Sequence, residues 1–395
     1  MRRLLVLADD LSGACEIAGI ISRYGCNAEI QLVPDLESTA DAIVIDLDTR
    51  QPDTTLMEAK TAAFIPQLRQ HAEEFTVFKK VDSVFRGHIL KEARHLLDVL
   101  NARRVFLLPA NPETGRTIID GIYYVNGEQL HTTVFSRDPH FPKTSSSIAA
   151  IIDYRDFPLS HIHIKGNRSV PDTGLLTADI SSMDDLDYYT SLSDNRTLYC
   201  GGAQCFDSFV RNVLHRQPVK HQQAGAHPQG RHCLINGSTV KTDDEAEFLK
   251  AFGIKRFCLP GMIRDKTFTY NSSSFTQWIA RIIDDTEEDT FLYFHVEQPI
   301  RQEQLISDGI LHQLVQLAAQ LLQHHENTAV HLLLTGGATA SAVLRAAGET
   351  TLQVVSEHAQ GVVTVVSNRD NNHFYTIKPG SYSWPEILFN RIATQ

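Results

Sequence analysis

No apolar run in the 395-residue chain reaches the roughly 18 residues needed to cross a bilayer, which argues against a membrane-spanning helix. Cysteine is scarce: Cys15, Cys26, Cys200, Cys205, Cys233 and Cys258 are the six present, and none forms a CxxC pair. The nearest two, Cys200 and Cys205, flank "GGAQ", which is not a zinc-binding spacing, so buried reduced thiols are expected. Basic charge is in deficit, with 36 Lys and Arg against 47 Asp and Glu and a formal net charge of -11. A nucleic-acid partner needs a basic face and is therefore not expected. A small anionic ligand is still allowed, since a local cluster of cations suffices for it. There is no GxxxxGK[ST], hence no Walker-type loop, and no internal repeat or low-complexity tract. The opening "MRRLLVLADD" has two arginines and an apolar run, as a leader peptide would. That run is only about five residues long, acids follow it, and no small-residue cleavage site is in place. It reads as a first buried strand, and a cytoplasmic protein is expected.

What is present belongs to a soluble globular protein: 42% hydrophobic and 21% charged residues, in a chain long enough for two domains. In the first half, "RRLLVLA", "AEIQLV", "DAIVIDLD", "FTVFKKV" and "RRVFLLPA" read as buried strands of a parallel sheet. Helical stretches lie between them, such as "HILKEARHLLDVL", with Ile89, Ala93, Leu96, Leu97 and Leu100 on one face. This alternation predicts a doubly wound α/β sheet, whose ligands sit at the carboxyl ends of the strands. The segment from His215 to His232 lacks periodicity and is rich in Gln, His, Pro and Gly. Its irregular histidines suit a solvated linker better than a metal site. The alternation then resumes with "HCLINGS", "RFCLPG", "DTFLYFHV", "AVHLLLTGG", "VVTVV" and "HFYTIKPG", and a Leu- and Gln-rich helix runs between Arg301 and His325. The expected organisation is two α/β domains with largely parallel sheets and an active-site cleft between them. A substrate domain takes residues 1–215, a linker or exposed loop 216–230, and a nucleotide domain 231–395.

Polar motifs fall at the predicted strand ends. "ADDLSG" supplies Asp9 and Asp10, "DLDTR" supplies Asp46, Asp48 and Arg50, and "KKVDSVFRG" supplies Lys79, Lys80, Asp82, Ser83 and Arg86. Arg and Lys hold carboxylates or phosphates, and Arg does so with a two-pronged fork. Asp accepts from hydroxyls, and one Asp could serve as a general base. Acids and bases at one sheet edge suggest a small polyhydroxy acid. In the second half, "LLLTGGATASAVL" is a strand, a glycine turn and a helix start, the backbone arrangement that binds phosphate. "LINGST" and "IKPGSYS" repeat the strand-then-small-residue pattern, and three such turns would suit a nucleotide.

On "ADDLSGA", "DLDTR", "KKVDSVFRG" and "PANPETGRTIIDGIYYVNG", then "INGST", "TGGATASAVL" and "KPGSYS", the chain resembles the four-carbon acid sugar kinases nearly end to end. This family comprises the D-threonate, D-erythronate and 3-oxo-tetronate kinases. The resemblance implies that the first domain binds the acid sugar and the second binds ATP, with Mg²⁺ as the accompanying ion. The C4 hydroxyl would then be phosphorylated, D-threonate being the first choice of substrate and L-threonate, D-erythronate or the 3-oxo acid the alternatives. By the same resemblance, Asp10, Arg50, Lys80, Val81, Asp82 and Ser83 match the substrate-binding positions. Ser238, Gly336, Gly337, Ala338, Thr339 and Gly380 match the ATP-binding ones. Asp10 is the candidate base, Asp9 is expected to order the turn, and a homodimer is allowed. Ser12 stands where the family usually has Thr, and "KPGSYS" stands where "KSGGFG" is usual.

Two rival readings are open at this level. "AIVIDLDTR" resembles the DxD signature of haloacid dehalogenase-type phosphatases, with Asp46 as nucleophile and Asp48 as acid. A non-enzymatic sensor that closes on a sugar acid would carry a similar pattern.

Overall fold

A computed structural model describes residues 2–138, 140–152, 159–163, 170–194, 196–219, 230–237, 252, 254–258, 273–286, 291–295, 304–325, 328–380 and 382–393. The chain divides into two units, residues 1–28 with 34–220, and residues 29–33 with 221–395.

In chain order the first half carries β1 (Arg3–Ala8), α1 (Leu11–Arg23), β2 (Ala28–Gln31), β3 (Ala42–Asp46), α2 (Thr54–His71), β4 (Phe75–Lys80), α3 (Ile89–Leu100) and β5 (Arg104–Leu108). A small antiparallel sheet follows, β6 (Arg116–Ile119), β7 (Ile122–Val125) and β8 (Glu128–Gln129), then the single turn α4 (Ile148–Ile151). β9 (Leu159–Ile162), β10 (Gly174–Ala178), α5 (Met183–Ser191), β11 (Thr197–Gly201) and α6 (Ala203–Asn212) complete it. The main sheet of this unit runs β3-β1-β4-β11-β5-β10-β9, and every pairing is parallel. Its strands are continuous apolar runs because helices cover them, as a parallel sheet requires. Val44, Ile45, Phe78, Phe106 and Tyr199 are buried, and the Phe106 and Tyr199 rings stack 5.5 Å apart. On the predicted helix α3, Ile89, Ala93, Leu96 and Leu97 are buried as expected.

The second unit carries β12 (Arg231–Asn236), β13 (Lys255–Cys258), α7 (Ser273–Asp284), β14 (Leu292–His295), α8 (Gln304–His324), β15 (Val330–Thr335), α9 (Gly337–Ala346), β16 (Thr351–Ala359), β17 (Val362–Ser367), β18 (His373–Lys378) and α10 (Glu386–Ala393). Its strands run β13-β14-β12-β15-β18 in parallel, then β17, β16 and β2 antiparallel. β2 pairs antiparallel with β16, Leu352 opposite Ile30, and Glu29–Val33 count with the second unit. Apolar alternation marks a strand but does not name its neighbour. Leu234, Leu333, Val362, Trp384, Leu388 and Phe389 form one core cluster here.

None of the six cysteines is in a disulfide, but only Cys15, Cys200, Cys205 and Cys233 are buried; Cys26 is half-buried and Cys258 exposed, which corrects the uniform expectation. Among the described residues no helix is long and apolar enough to cross a membrane.

Candidate substrate and phosphate sites

Parallel pairing sets Ala8 beside both Asp46 and Lys80, so the ends of β3, β1 and β4 lie level at one sheet edge. The residues just beyond those ends meet. Arg50 is their hub. Its Nε donates to Asp9 Oδ2 at 2.8 Å and its Nη2 to Asp9 Oδ1 at 2.9 Å. Nη2 also lies 2.8 Å from Asp10 Oδ1, and Nη1 lies 3.5 Å from Asp82 Oδ1. The fork is thus occupied by the chain's own carboxylates, a bidentate pair being the strongest form of this contact. Asp48, in the same stretch as Arg50, pairs with Lys60 at 2.6 Å.

Asp10 caps α1. Its extended backbone turns the side chain to accept from the Gly13 N–H at 3.0 Å, and the Ser12 hydroxyl donates to its other oxygen. Burial alone would raise the Asp10 carboxyl, but the Arg50 and Lys80 charges and these hydrogen bonds bring it below the usual range. Lys80 reaches in because position 13 is glycine: a Cβ there would stand 2.8 Å from Asp10 Oδ1 and 3.2 Å from Lys80 Nζ. Lys80 Nζ also donates to the Val81 carbonyl at 3.1 Å and lies 3.6 Å from Glu16. The expected Lys79–Lys80 pair is not a pair in space. Successive strand residues face opposite ways, so Lys79 is fully buried against Glu92 of α3, 2.5 Å away.

After β4 the chain wraps around Asp82. Its Oδ2 accepts from the Val84 and Arg86 N–H groups, each at 3.0 Å, and its Oδ1 from Arg86 Nη2 at 2.8 Å. Burial works against the ionised form, yet Arg86 and Arg50 hold this carboxyl well below the ordinary range. The wrap puts Phe85, a buried residue, at φ +62° and Gly87 at φ +91°. A left-handed Phe costs on the order of 1–3 kcal/mol, a strain typical of ligand loops.

Two cations at this site were not singled out from the sequence. Arg116, at the start of β6, donates to the Ser83 hydroxyl, and Tyr123 donates to the Ser83 carbonyl. Lys143 donates to the Phe85 carbonyl at 2.7 Å, and burial lowers the pKa of its ammonium. The signal for Arg116 was its place inside the quoted "PETGRT". Lys143 lies far from every motif.

In the second unit, Asn236 sits opposite Thr335, and Thr335 opposite Lys378. The turns after β12, β15 and β18 therefore lie side by side. Gly336 adopts φ +95° and ψ 131°, donates its N–H to the Lys378 carbonyl at 2.8 Å, and starts α9. Gly337, Ala338 and Thr339 form the first helical turn, whose N–H groups have no intrahelical acceptor and suit an anion. Gly237 abuts Thr339, with room for no Cβ. Gly380 follows Pro379, whose carbonyl accepts from the buried Lys378. Ser238 lies outside the described residues.

A parallel α/β unit with a charged strand-edge site, next in sequence to a unit whose backbone turns suit phosphate, is the class of a two-domain small-molecule-binding protein. Residues 4–204 match a sugar-binding N-terminal domain and residues 268–382 a nucleotide-binding C-terminal domain. The chain belongs to the four-carbon acid sugar kinase family. It is 30% identical over 180 residues to a D-threonate kinase of Salmonella typhimurium, covering 45% of this chain and 42% of that one. It is 30% identical over 260 residues to a 3-oxo-tetronate kinase of Brucella melitensis, covering 60% and 59%. The aligned segments thus span about half the length of these relatives. A solved Salmonella typhimurium structure shares the fold, with a TM-score of 0.80 at 18% identity over 99% of this chain and 98% of that one.

Proposed function

We propose that the protein transfers the γ-phosphoryl group of ATP to the C4 hydroxyl of a four-carbon sugar acid, with D-threonate as the first candidate. The observation that carries this reading is the preassembled edge of Asp10, Lys80, Asp82 and Ser83 around Arg50. It combines hydroxyl acceptors with cations, as a polyhydroxy anion needs. The D-threonate and 3-oxo-tetronate kinases among its relatives support the same substrate class.

Asp10 accepts the hydroxyl proton as the new O–P bond forms. Its depressed pKa is compatible with this role, because phosphoryl transfer through a loose transition state asks for positioning more than for a strong base. Arg50 holds Asp10 and Asp82 in place, while Arg116 and Lys143 supply the charge for the substrate carboxylate. The N–H groups of Gly337, Ala338 and Thr339 receive phosphate oxygens. Mg²⁺ would neutralise charge between the phosphates.

A phosphatase of the dehalogenase type would need Asp46 and Asp48 to face one phosphate, and Asp48 is turned to Lys60 instead. The decisive experiment is a coupled ADP assay across D-threonate, L-threonate, D-erythronate and the 3-oxo acid. ADP release is expected only with acid and Mg²⁺ together. Turnover that survives chelation, or none with any four-carbon acid, overturns the reading. Acid binding without turnover would mark a sensor.

A further inference from the structure

Away from the Arg50 cluster, at the other side of the first sheet, the parallel register of β9 and β10 sets His161 beside Thr177 and Ile162 beside Ala178. One step further brings His163 level with Asp179. Residues two apart on a strand share a face, so His161, His163, Thr177 and Asp179 form one patch.

Their polar atoms converge. His161 Nε2 lies 2.9 Å from Asp179 Oδ1, and His163 Nδ1 lies 3.4 Å from Asp179 Oδ2. One ligand atom from each of His161, His163 and Asp179 can be chosen so that all lie within 4.8 Å of one another. Ligands of a tetrahedral ion with bonds of about 2.0–2.1 Å stand roughly 3.3 Å apart, so small side-chain rotations would admit one. The Asp179 side chain is 4% exposed and His161 14%, whereas His163 is 52% exposed and leaves an approach from solvent. Gly121, at φ +74° in the β6–β7 turn, roofs the patch: a Cβ there would stand 3.6 Å from His161 and 3.9 Å from His163. The Gly121 N–H also donates to Asp179 Oδ1 at 2.9 Å, orienting that carboxylate.

We propose that His161, His163 and Asp179 form a binding site for a transition-metal dication of the zinc type, separate from the phosphoryl-transfer site. Two imidazoles and one carboxylate are a donor set that suits zinc and its neighbours, while magnesium prefers all-oxygen ligands. The supporting contact is in place. His161 Nδ1 lies 2.8 Å from the Thr177 hydroxyl, so with metal on Nε2 its proton sits on Nδ1 and is donated to Thr177. Three protein ligands leave a fourth position for water or an incoming ligand. The ion would tie the outermost strand of the sheet to its neighbour beneath the hairpin turn.

The test is a titration of the untagged, chelator-stripped full chain with Co²⁺, read by its visible d–d absorption, and with Zn²⁺ by calorimetry. One equivalent of Co²⁺ with the intense bands of a four-coordinate site is expected. Zn²⁺ should displace it and millimolar Mg²⁺ should not. His163→Ala removes a half-exposed ligand and leaves the fold intact, as a melting curve would verify; it should weaken binding at least tenfold. His161→Ala should do the same. Absence of the bands, displacement by Mg²⁺, or unchanged uptake in both variants would overturn the proposal.

Discussion

Around Arg50 in the first unit, a guanidinium, an ammonium and four carboxylates are packed into mutual contact. At the turns after β12, β15 and β18 in the second, the candidate ligands for phosphate are mostly backbone N–H groups, set by a helix start and a glycine at φ +95°. The first arrangement stores its specificity in charge. The second stores it in backbone geometry. Charge deletion and acid should therefore injure the first site, and added Cβ atoms the second. Each substitution below tests whether that division holds.

Arg50→Ala should have the largest effect. It leaves Asp9, Asp10 and Asp82 without the cation they share, and removing one partner from a buried ion pair costs about 3–5 kcal/mol. Domains are stable by only about 5–15 kcal/mol, so the melting temperature should fall steeply and sugar-acid binding with it. Arg116→Ala is the contrast. Its guanidinium bonds a hydroxyl and lies 6.0 Å from the Phe135 ring, with no carboxylate partner recorded among the described residues. That variant should keep its melting temperature and lose acid affinity, by about tenfold or more if one charged hydrogen bond is worth 1.5–3 kcal/mol. If Arg116→Ala binds the acid normally, the substrate carboxylate is held elsewhere. If Arg50→Ala melts like the parent protein, Arg50 is not the hub.

Gly336→Ala should come next. Among the described residues nothing lies within 4 Å of the position a Cβ would take, so the penalty is conformational. Non-glycine residues in such regions cost about 1–3 kcal/mol. The turn would relax and the N–H groups of α9 would move off the phosphate. ATP affinity should drop while sugar-acid affinity is unchanged, measured by calorimetry with each ligand alone. The adjacent Gly337 is already helical and should tolerate alanine. Equal losses of both ligands in Gly336→Ala would dissolve the distinction between a charge-built and a backbone-built site.

The same division explains what was legible in the sequence. Asp10, Arg50 and Asp82 could be grouped without coordinates, because a βαβ sheet brings its strand ends to one edge and each motif ends an apolar run. Gly336 was legible for the same reason. Lys79 was misread because the motif was taken as a block, whereas a strand turns alternate residues to opposite faces. Arg116 and Lys143 come from a hairpin and a loop that fold back over the edge, and no local pattern announces such a return. β2 was legible as a strand but not as a neighbour of β16. Pairing choice depends on which edge is free once the helices are in place.

The smallest effect expected, and the finest test of a charge-built site, is at Ser12. Its hydroxyl donates to Asp10 and helps depress that carboxyl below the ordinary value of 3.8. A carboxyl whose folded pKa is depressed adds stability that is fully present above its unfolded pKa. That stability is lost as pH falls through the folded value. Ser12→Ala should raise the Asp10 pKa toward 3.8 and cost roughly 0.5–1.5 kcal/mol at neutral pH. The gap from the parent protein should narrow as pH falls below 3.8 and through the depressed folded value, where Asp10 is protonated in both. Ser12→Thr keeps the hydroxyl, so it should restore the neutral-pH stability if the added methyl is accommodated at this largely buried position. Urea unfolding from pH 3 to 8 measures the gap, and carboxyl-carbon NMR follows Asp10 itself. A pH-independent gap would mean that Ser12 serves the packing of α1 rather than the charge on Asp10.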